Sequence, residues 1–261
     1  MTVDPSHALE VRVIPCLQDN HGFLVHEPVS GETATIDTPD PDTLQAAAAA
    51  EGWRITQIWN THHHWDHGGG NPALKAATGA RVTGPAAEAD KIPVLDQLVS
   101  DGDEVSLGGV QARVMAAPGH TLGHVLYVFD DQKLAFVGDT LFAMGCGRLF
   151  EGTPAQIWAS LSRVAALPPD TVIYCAHEYT QANARFALSV DPHNPALQAR
   201  AAQVDALRAE GRPTVPTTLA QELATNPFLR AREPDFAAGL GLAGAPAVEV
   251  FAEARRRKDV F

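Results

Sequence analysis

The chain has 261 residues, of which 45% are hydrophobic and 19% are charged, a composition typical of a globular protein. This length can bury a full hydrophobic core, in one large domain or in a large and a small one. The formal net charge of −12 argues against a nucleic-acid partner, because binding phosphate requires a cationic surface. No apolar run approaches the roughly 20 residues that cross a bilayer, so we expect no membrane contact.

The opening residues and the cysteines bear on the cellular compartment. Residues 1–7 contain no basic segment followed by an apolar one, so we expect no secretory leader. Cys16, Cys146 and Cys175 are an odd and sparse set, which suits a reducing cytosol better than a disulfide framework. The sequence therefore predicts a cytoplasmic protein.

Between residues 9 and 176, short runs of strand character alternate with a few helical segments. Helices are predicted at 41–51 and 154–167, each with a proline at a plausible first-turn position. The glycines at 68–70 predict a loop without an immediate helix. Two packed sheets with helices outside would bury the strands. These strands are predicted at 9–14, 22–26, 33–36, 55–59, 110–115, 125–129, 134–137 and 172–176.

The character of the chain changes after His177. Helices are predicted at 179–189, 195–210, 219–223 and 247–258, and no strand is expected there. We therefore predict a domain of residues 1–177 followed by a helical domain of residues 178–261. No repeat of fixed period is visible.

The densest group of ligand-type residues follows the apolar strand at 55–59. Residues 61–67 contain four histidines and one aspartate. Divalent metals take neutral imidazole and carboxylate oxygen, so such a mixture is typical of a catalytic metal site rather than of a solvated polar loop. A loop at the end of a strand directs alternate side chains to opposite sides. We therefore expect His62 and His64 to converge on one ion, and Asp66 and His67 on a second.

Three later segments supply further ligand-type residues, each where a predicted strand ends. His120 follows the strand at 110–115, Asp139 follows the strand at 134–137, and His177 follows the strand at 172–176. Together with the first loop, four strand ends carry metal-binding side chains. This recurrence indicates one site built from distant parts of the sequence.

These motifs carry a family resemblance. The loop at 61–67, with His120, Asp139 and His177 in that order, resembles the binuclear metallo-β-lactamase superfamily, which includes lactamases, nucleases and oxygenases. Four segments outside the loop (145–148, 177–180, 213–219 and 255–259) resemble one member, glyoxalase II or hydroxyacylglutathione hydrolase. The resemblance covers residues 11–261. It implies an α/β (α+β) fold, an αββα sandwich followed by a smaller C-terminal helical domain.

The resemblance also implies a ligand set for two divalent metal ions. Zinc is favoured, while iron and manganese accept the same ligands. His63 matches no ligand, and Cys175 is expected as a small buried hydrophobe rather than a ligand. Asp66 and Asp139 would be the catalytic carboxylates. The first ion would be held by His62, His64 and His120, the second by Asp66, His67 and His177, with Asp139 bridging both.

Four further residues match the family's substrate-binding positions: Arg148, Tyr179, Arg255 and Lys258. Phe150 stands where many members carry a tyrosine, which puts one hydrogen bond to the substrate in doubt. On a helix, Arg255 and Lys258 share a face while Arg256 and Arg257 turn elsewhere. The alternative for this basic run is a solvated helix end with favourable helix-dipole placement.

The implied reaction is hydrolysis of S-D-lactoylglutathione to D-lactate and glutathione, with a metal-held hydroxide attacking the thioester carbonyl. The implied partner is a small glutathione thioester, and we expect a monomer. The alternatives are a glutathione-persulfide dioxygenase with a single iron, a ribonuclease of the superfamily, and a non-enzymatic metal-binding protein. Metal stoichiometry together with a thioester assay separates them.

Overall fold

The computed structural model describes residues 8–261, which form two compact units. The first unit runs to Ala116 and includes Thr121–Gly138, and the second comprises Ala117–His120 and Asp139–Phe261. Residues 1–7, where we expect no leader, lie outside the described part of the chain. None of the helices in residues 8–261 has the length and apolar character of a bilayer-spanning helix.

The first unit contains a sheet of six strands in sequential order. The first three strands pair antiparallel and the last three join them in parallel. The short β5 and β6 have no clear pattern in the sequence and were not expected. The strands are β1 (Glu10–Cys16), β2 (Asn20–Glu27), β3 (Glu32–Ile36), β4 (Ile55–Trp59), β5 (Arg81–Pro85) and β6 (Gln97–Val99).

Four antiparallel strands form a second layer of this unit: β7 (Glu104–Leu107), β8 (Val110–Ala116), β9 (Val125–Phe129) and β10 (Leu134–Gly138). Aromatic rings join the two layers. The Trp59 ring centroid lies 5.2 Å from that of Tyr127 and 5.9 Å from that of Phe129, and the Phe23 and Phe136 centroids are 5.4 Å apart. The predicted packing of two sheets is therefore confirmed.

Among residues 8–261, the first unit contains three α-helices, α1 (Pro41–Ala50), α2 (Trp65–Gly68) and α3 (Asn71–Thr78), of which α1 and α3 pack on the first sheet. Asp40 caps α1 by accepting from the Thr43 amide at 3.1 Å. Leu44 of α1 and Leu74 of α3 are fully buried in one hydrophobic cluster with side chains of β2, β4 and β5. Hydrophobic burial thus fixes both helices on the sheet.

The expectation that the glycines at 68–70 exclude an immediate helix is wrong. The helix α2 includes Gly68, and α3 begins directly after Gly70. Gly69 and Gly70 have right-handed helical dihedrals, with φ of −64° and −80°. A Cβ atom would lie 2.5 Å from the Trp65 carbonyl oxygen at Gly69 and 2.3 Å from the Thr38 carbonyl oxygen at Gly70. The glycines therefore permit close backbone approach rather than breaking the helix.

The second unit is mainly helical. The predicted helices are confirmed to within a few residues, and α8 adds a sixth. The expectation that no strand follows His177 is wrong. Thr217 and Thr218 form the strand β14, which pairs with β13 and is too short to leave a pattern in the sequence. The elements are β11 (Leu141–Phe142), β12 (Gly145–Cys146), α4 (Pro154–Val164), β13 (Val172–Cys175), α5 (Thr180–Val190), α6 (Pro195–Ala209), β14 (Thr217–Thr218), α7 (Leu219–Thr225), α8 (Pro234–Gly239) and α9 (Ala247–Asp259).

A hairpin of β11 and β12 lies at the core of the second unit. Met144, at its turn, is fully buried in a hydrophobic cluster with side chains of α5 and α6. From α7, Glu222 accepts from the Met144 amide at 2.8 Å. Just beyond that helix, the Asn226 amide donates to the Phe142 and Gly145 carbonyl oxygens at 3.1 and 2.9 Å. The hairpin backbone is therefore held by both packing and hydrogen bonds.

Candidate functional site

The first unit brings together the four predicted ligands of the histidine-rich loop. His62 Nε2 lies 3.0 Å from His64 Nδ1, and His67 Nε2 lies 3.6 Å from Asp66 Oδ2. The short helix α2 turns the chain back, so that the ring centroids of His62 and His67 are only 4.0 Å apart. Both of these rings are buried. His62 thus lies beside His64, and the helical turn brings His67 close to His62.

Asp37 fixes the tautomer of two of these imidazoles, His62 and His67. Its carboxylate accepts from the Thr61 amide, the Thr61 hydroxyl and His67 Nδ1, each at 2.8 Å. Because Nδ1 of His67 donates, its Nε2 carries the lone pair. Because the Thr61 hydroxyl gives its proton to Asp37, it accepts from His62 Nδ1 at 3.0 Å, and His62 Nε2 also carries the lone pair. This is the tautomer that a metal ligand requires.

Glu88 and Asn20 fix other parts of the same loop. Glu88 accepts from the His63 amide at 2.7 Å and lies 2.9 Å from His63 Nδ1. These contacts turn His63 towards Glu88. Asn20 donates to Asp66 Oδ2 at 3.0 Å.

The sequence did not identify Asp37, Glu88 or Asn20 as site residues. Of these three residues, only Asp37 could have been suspected from the sequence. It directly follows the strand β3, just as the predicted ligands follow other strands. Nothing local marks Glu88 or Asn20, whose roles depend on contacts distant in sequence.

The second unit brings together the other three predicted ligands. Asp139 Oδ2 lies 3.3 Å from His120 Nε2, and Asp139 Oδ1 lies 3.4 Å from His177 Nε2. His120 Nδ1 is 2.9 Å from the Arg148 carbonyl oxygen, to which it donates, so its Nε2 carries the lone pair. The two oxygens of the Asp139 carboxylate therefore face two different imidazoles.

Gly147 and Cys175 border these ligands. A Cβ at Gly147 would lie 1.9 Å from the Asp139 carbonyl oxygen, so only glycine lets the chain pass the ligand. Cys175 is fully buried, and burial raises the pKa of its thiol to about 12. Its Sγ lies 3.9 Å from the His177 carbonyl oxygen. This environment agrees with a small buried hydrophobe.

The donor set fits divalent metal ions. Within each unit, buried imidazole nitrogens and carboxylate oxygens converge, and the tautomers of His62, His67 and His120 direct a lone pair from Nε2. Nitrogen lone pairs and anionic oxygens gathered at one point repel one another unless a cation or a proton lies among them. Imidazole and carboxylate together accept zinc, iron and manganese.

A cavity of about 410 Å³ in the second unit contains all four predicted substrate residues. Arg148, Tyr179, Arg255 and Lys258 line it together with His120 and Asp139. The Tyr179 ring stacks on His177 with centroids 4.7 Å apart. Phe150, which has no hydroxyl to offer, is exposed and contacts His120 edge-on at 5.2 Å. The lining of this cavity therefore contains both predicted metal ligands and cationic side chains.

Two stacked rings support the cations of α9. Lys258 Nζ lies 5.2 Å from the Phe186 ring centroid, Arg255 Cζ lies 5.2 Å from that of Phe228, and the two centroids are 6.0 Å apart. Burial lowers the pKa of Lys258, and nearby arginines (Arg255, Arg185 and Arg148) lower it further.

Arg256 and Arg257 instead pair with Glu253, each at 2.8 Å. Neither lines the cavity described above. Arg255 and Lys258 therefore face the cavity, whereas Arg256 and Arg257 face Glu253.

Comparison with known proteins identifies the family. Residues 31–177 match the family model "Metallo-beta-lactamase superfamily", and residues 178–261 match "Hydroxyacylglutathione hydrolase C-terminus". The hydroxyacylglutathione hydrolase of Maricaulis maris (strain MCS10) is 60% identical over 253 residues, covering 97% of this chain and 99% of the relative. The chain belongs to the hydroxyacylglutathione hydrolase family. The predicted resemblance is confirmed, and the protein is an enzyme, a metal-binding hydrolase.

Other relatives agree with this family. The hydroxyacylglutathione hydrolase of Methylococcus capsulatus (strain ATCC 33009 / NCIMB 11132 / Bath) is 55% identical, over 97% of this chain and 99% of the relative. Among solved structures, ETHE1 from Myxococcus xanthus has a TM-score of 0.63 and 25% identity, over 96% of this chain and 100% of that one. The BLEG-1 B3 metallo-beta-lactamase has a TM-score of 0.65 and 21% identity, over 84% of this chain and 99% of that one, which shows the shared fold alone.

Proposed function

We propose that the enzyme hydrolyses S-D-lactoylglutathione to D-lactate and glutathione with two divalent metal ions. The observation that carries this proposal is the cavity of the second unit, whose lining contains His120 and Asp139 as well as three cations. A glutathione thioester needs both features, because its carbonyl must be activated while its distant carboxylates must be bound. The relatives named hydroxyacylglutathione hydrolase support the same substrate class.

The proposed metal ligands are those implied by the family motif. When bound, the ions lower the pKa of water towards about 7 and so supply a nucleophile at neutral pH. Asp37 keeps His62 and His67 in the ligating tautomer, while Asn20 holds Asp66. Zinc is the proposed metal, with iron and manganese as alternatives. His62, His64 and His120 would bind one ion, Asp66, His67 and His177 the other, with Asp139 as the bridge.

Substrate capture is proposed to use the cations of the cavity. Glutathione carries two carboxylates and one ammonium group, and Arg148, Arg255 and Lys258 provide complementary charge. The Tyr179 hydroxyl is the proposed neutral partner. The leaving thiolate is a weaker base than an amine, so the reaction needs no strong general acid.

We also propose a domain boundary between residues 177 and 178, since five of the helices, α5 to α9, follow it. We propose a monomer in a reducing compartment such as the cytoplasm. The three cysteines are an odd and sparse set, and all three are buried, as suits such a compartment. Gel filtration tests the monomer.

The test of the proposed function combines metal analysis with a thioester assay. Purified, metal-replete enzyme should contain two metal equivalents per chain and should remove the ultraviolet absorbance of S-D-lactoylglutathione. Cleavage of a β-lactam or RNA without thioester hydrolysis would contradict the proposal. A single iron per chain with oxygen consumption on a glutathione persulfide would favour the dioxygenase alternative.

A further inference from the structure

We propose that Asp259 is a positioning residue, whose carboxylate orients the guanidinium of Arg255 so that one edge is presented to a carboxylate of the substrate. This inference rests on the proposed function, since it concerns how the glutathione moiety is bound. It assigns a role to an acidic side chain at the end of a basic helix.

Three residues hold the guanidinium of Arg255: Asp259, Cys146 and Phe228. Its Nε and Nη2 donate to Asp259 Oδ1 at 3.0 and 2.7 Å. Its Nη1 donates to the Cys146 carbonyl oxygen at 3.2 Å, and its face lies on the Phe228 ring. The Arg255 side chain is 5% exposed, whereas that of Asp259 is 49% exposed. The arginine is therefore held inside the unit by a carboxylate that reaches in from the surface.

These contacts leave one edge of the guanidinium for a ligand. Arginine has five N–H donors in a planar fork. Asp259 takes one on Nε and one on Nη2, and Nη1 contacts Cys146 twice, donating to its carbonyl oxygen at 3.2 Å and to its weakly accepting Sγ at 3.8 Å. At the end of the fork are one N–H of Nη2 and the N–H of Nη1 whose acceptor is only the Cys146 sulfur, and this pair matches the spacing of a carboxylate, a far stronger acceptor than a thiol. Arg255 lines the cavity, so a substrate carboxylate can meet this pair without reorienting the side chain.

The charges around the cavity also support a positioning role for Asp259. Arg148 and Lys258 line the cavity with Arg255, and like charges at close range repel. Asp259 forms an ion pair with Arg255. Its negative charge raises the pKa of Lys258, whereas the positive charges of the arginines lower it. Removing its charge should therefore both loosen Arg255 and increase the repulsion between the cations.

Asp259 could instead compete with the substrate for Arg255, and the two roles predict opposite results. If Asp259 positions Arg255, Asp259→Asn should raise KM about tenfold with kcat changed less than twofold, because the remote end of the substrate is bound equally in ground and transition states. If it competes, KM should fall. Either a lower KM or an unchanged KM overturns the proposal.

The matched control is Glu253→Gln. Glu253 lies on the same helix and forms the same kind of ion pair with Arg256 and Arg257, which are not in the cavity lining. Its loss should leave KM unchanged. Asp259→Glu retains the carboxylate and should recover part of the wild-type KM, which a purely structural role of the helix end would not predict.

Direct binding separates this proposal from the proposed function. Glutathione alone should bind the wild type, and calorimetry should show binding to Asp259→Asn weakened about tenfold. Wild type that neither binds glutathione nor cleaves the thioester would refute the proposed function itself. Active wild type together with unaltered glutathione binding in Asp259→Asn would refute only the role of Asp259.

Discussion

Replacing Asp37 by asparagine tests whether hydrogen bonds behind the ligands control metal binding. The carboxylate accepts from three donors, the Thr61 amide and hydroxyl and His67 Nδ1, each at 2.8 Å. An asparagine offers one acceptor oxygen and an amino group that only donates. In either orientation of the amide, at least one of these donors faces an N–H group instead of an oxygen.

We expect Asp37→Asn to weaken metal binding through His67. Where the new amino group faces Nδ1, the imidazole must move its proton to Nε2, the nitrogen that should bind the metal. A hydrogen bond to a charged group contributes about 1.5–3 kcal/mol, which corresponds to roughly 10- to 100-fold in an equilibrium constant. Losses of this size in metal affinity are typical when the group behind a ligating histidine is changed. We therefore expect Asp37→Asn to bind metal about 10- to 100-fold more weakly.

Competition with a chromophoric chelator measures this affinity directly, independently of turnover. The matched control is Asp40→Asn, three residues along the chain. Asp40 caps α1, and asparagine caps a helix about as well as aspartate, so both stability and metal affinity should stay near wild type. Wild-type metal affinity in a correctly folded Asp37→Asn variant would refute the argument that Asp37 sets the tautomer.

Three further predictions concern the bridge and the cavity. Asp139→Asn should lose at least one metal equivalent and most activity, because a neutral amide bridges two cations poorly; unchanged metal content would contradict this. Arg148→Ala, and the double replacement of Arg255 and Lys258 by alanine, should raise KM roughly 10- to 100-fold with a much smaller change in kcat, while Arg256→Ala should be silent. The lowered pKa of Lys258 means that its ammonium loses a proton at a lower pH than an ordinary lysine. KM should therefore rise in the alkaline range for wild type and stay flatter in Lys258→Arg, and identical pH profiles would contradict this reading.

The proposed metal ligands could be selected from the sequence because each follows an apolar run of strand length. His120, Asp139 and His177 come from separate strand ends, and the structure gathers them within one unit. The residues that hold the ligands could not be found in this way. A buried acceptor such as Glu88 leaves no local pattern, because its donors at His63 and Gly123 are 25 and 35 positions away.

The errors in the fold have a common cause in short elements. By propensity alone, a run of three glycines predicts the end of a helix. Gly69 and Gly70 nevertheless have helical dihedrals, and glycine is needed there because neighbouring carbonyl oxygens leave no room for a side chain. The same limit applies to β14, whose two residues are too few for an alternating pattern. Tertiary contacts decide the conformation of such segments, and a local reading of the sequence does not contain them.

The acidic balance of the chain raises the question of how it captures an anionic substrate. A net charge of −12 repels glutathione only weakly at a distance, since salt screens charges beyond about 8 Å at physiological ionic strength. Binding must then depend on short-range contacts, and the cations that line the cavity provide them. Such a cluster is self-repelling, so it requires support from aromatic faces and from a compensating acid. Phe186 and Phe228 supply the faces and Asp259 supplies the charge. An acidic surface and a basic pocket are therefore compatible, because each acts over a different distance.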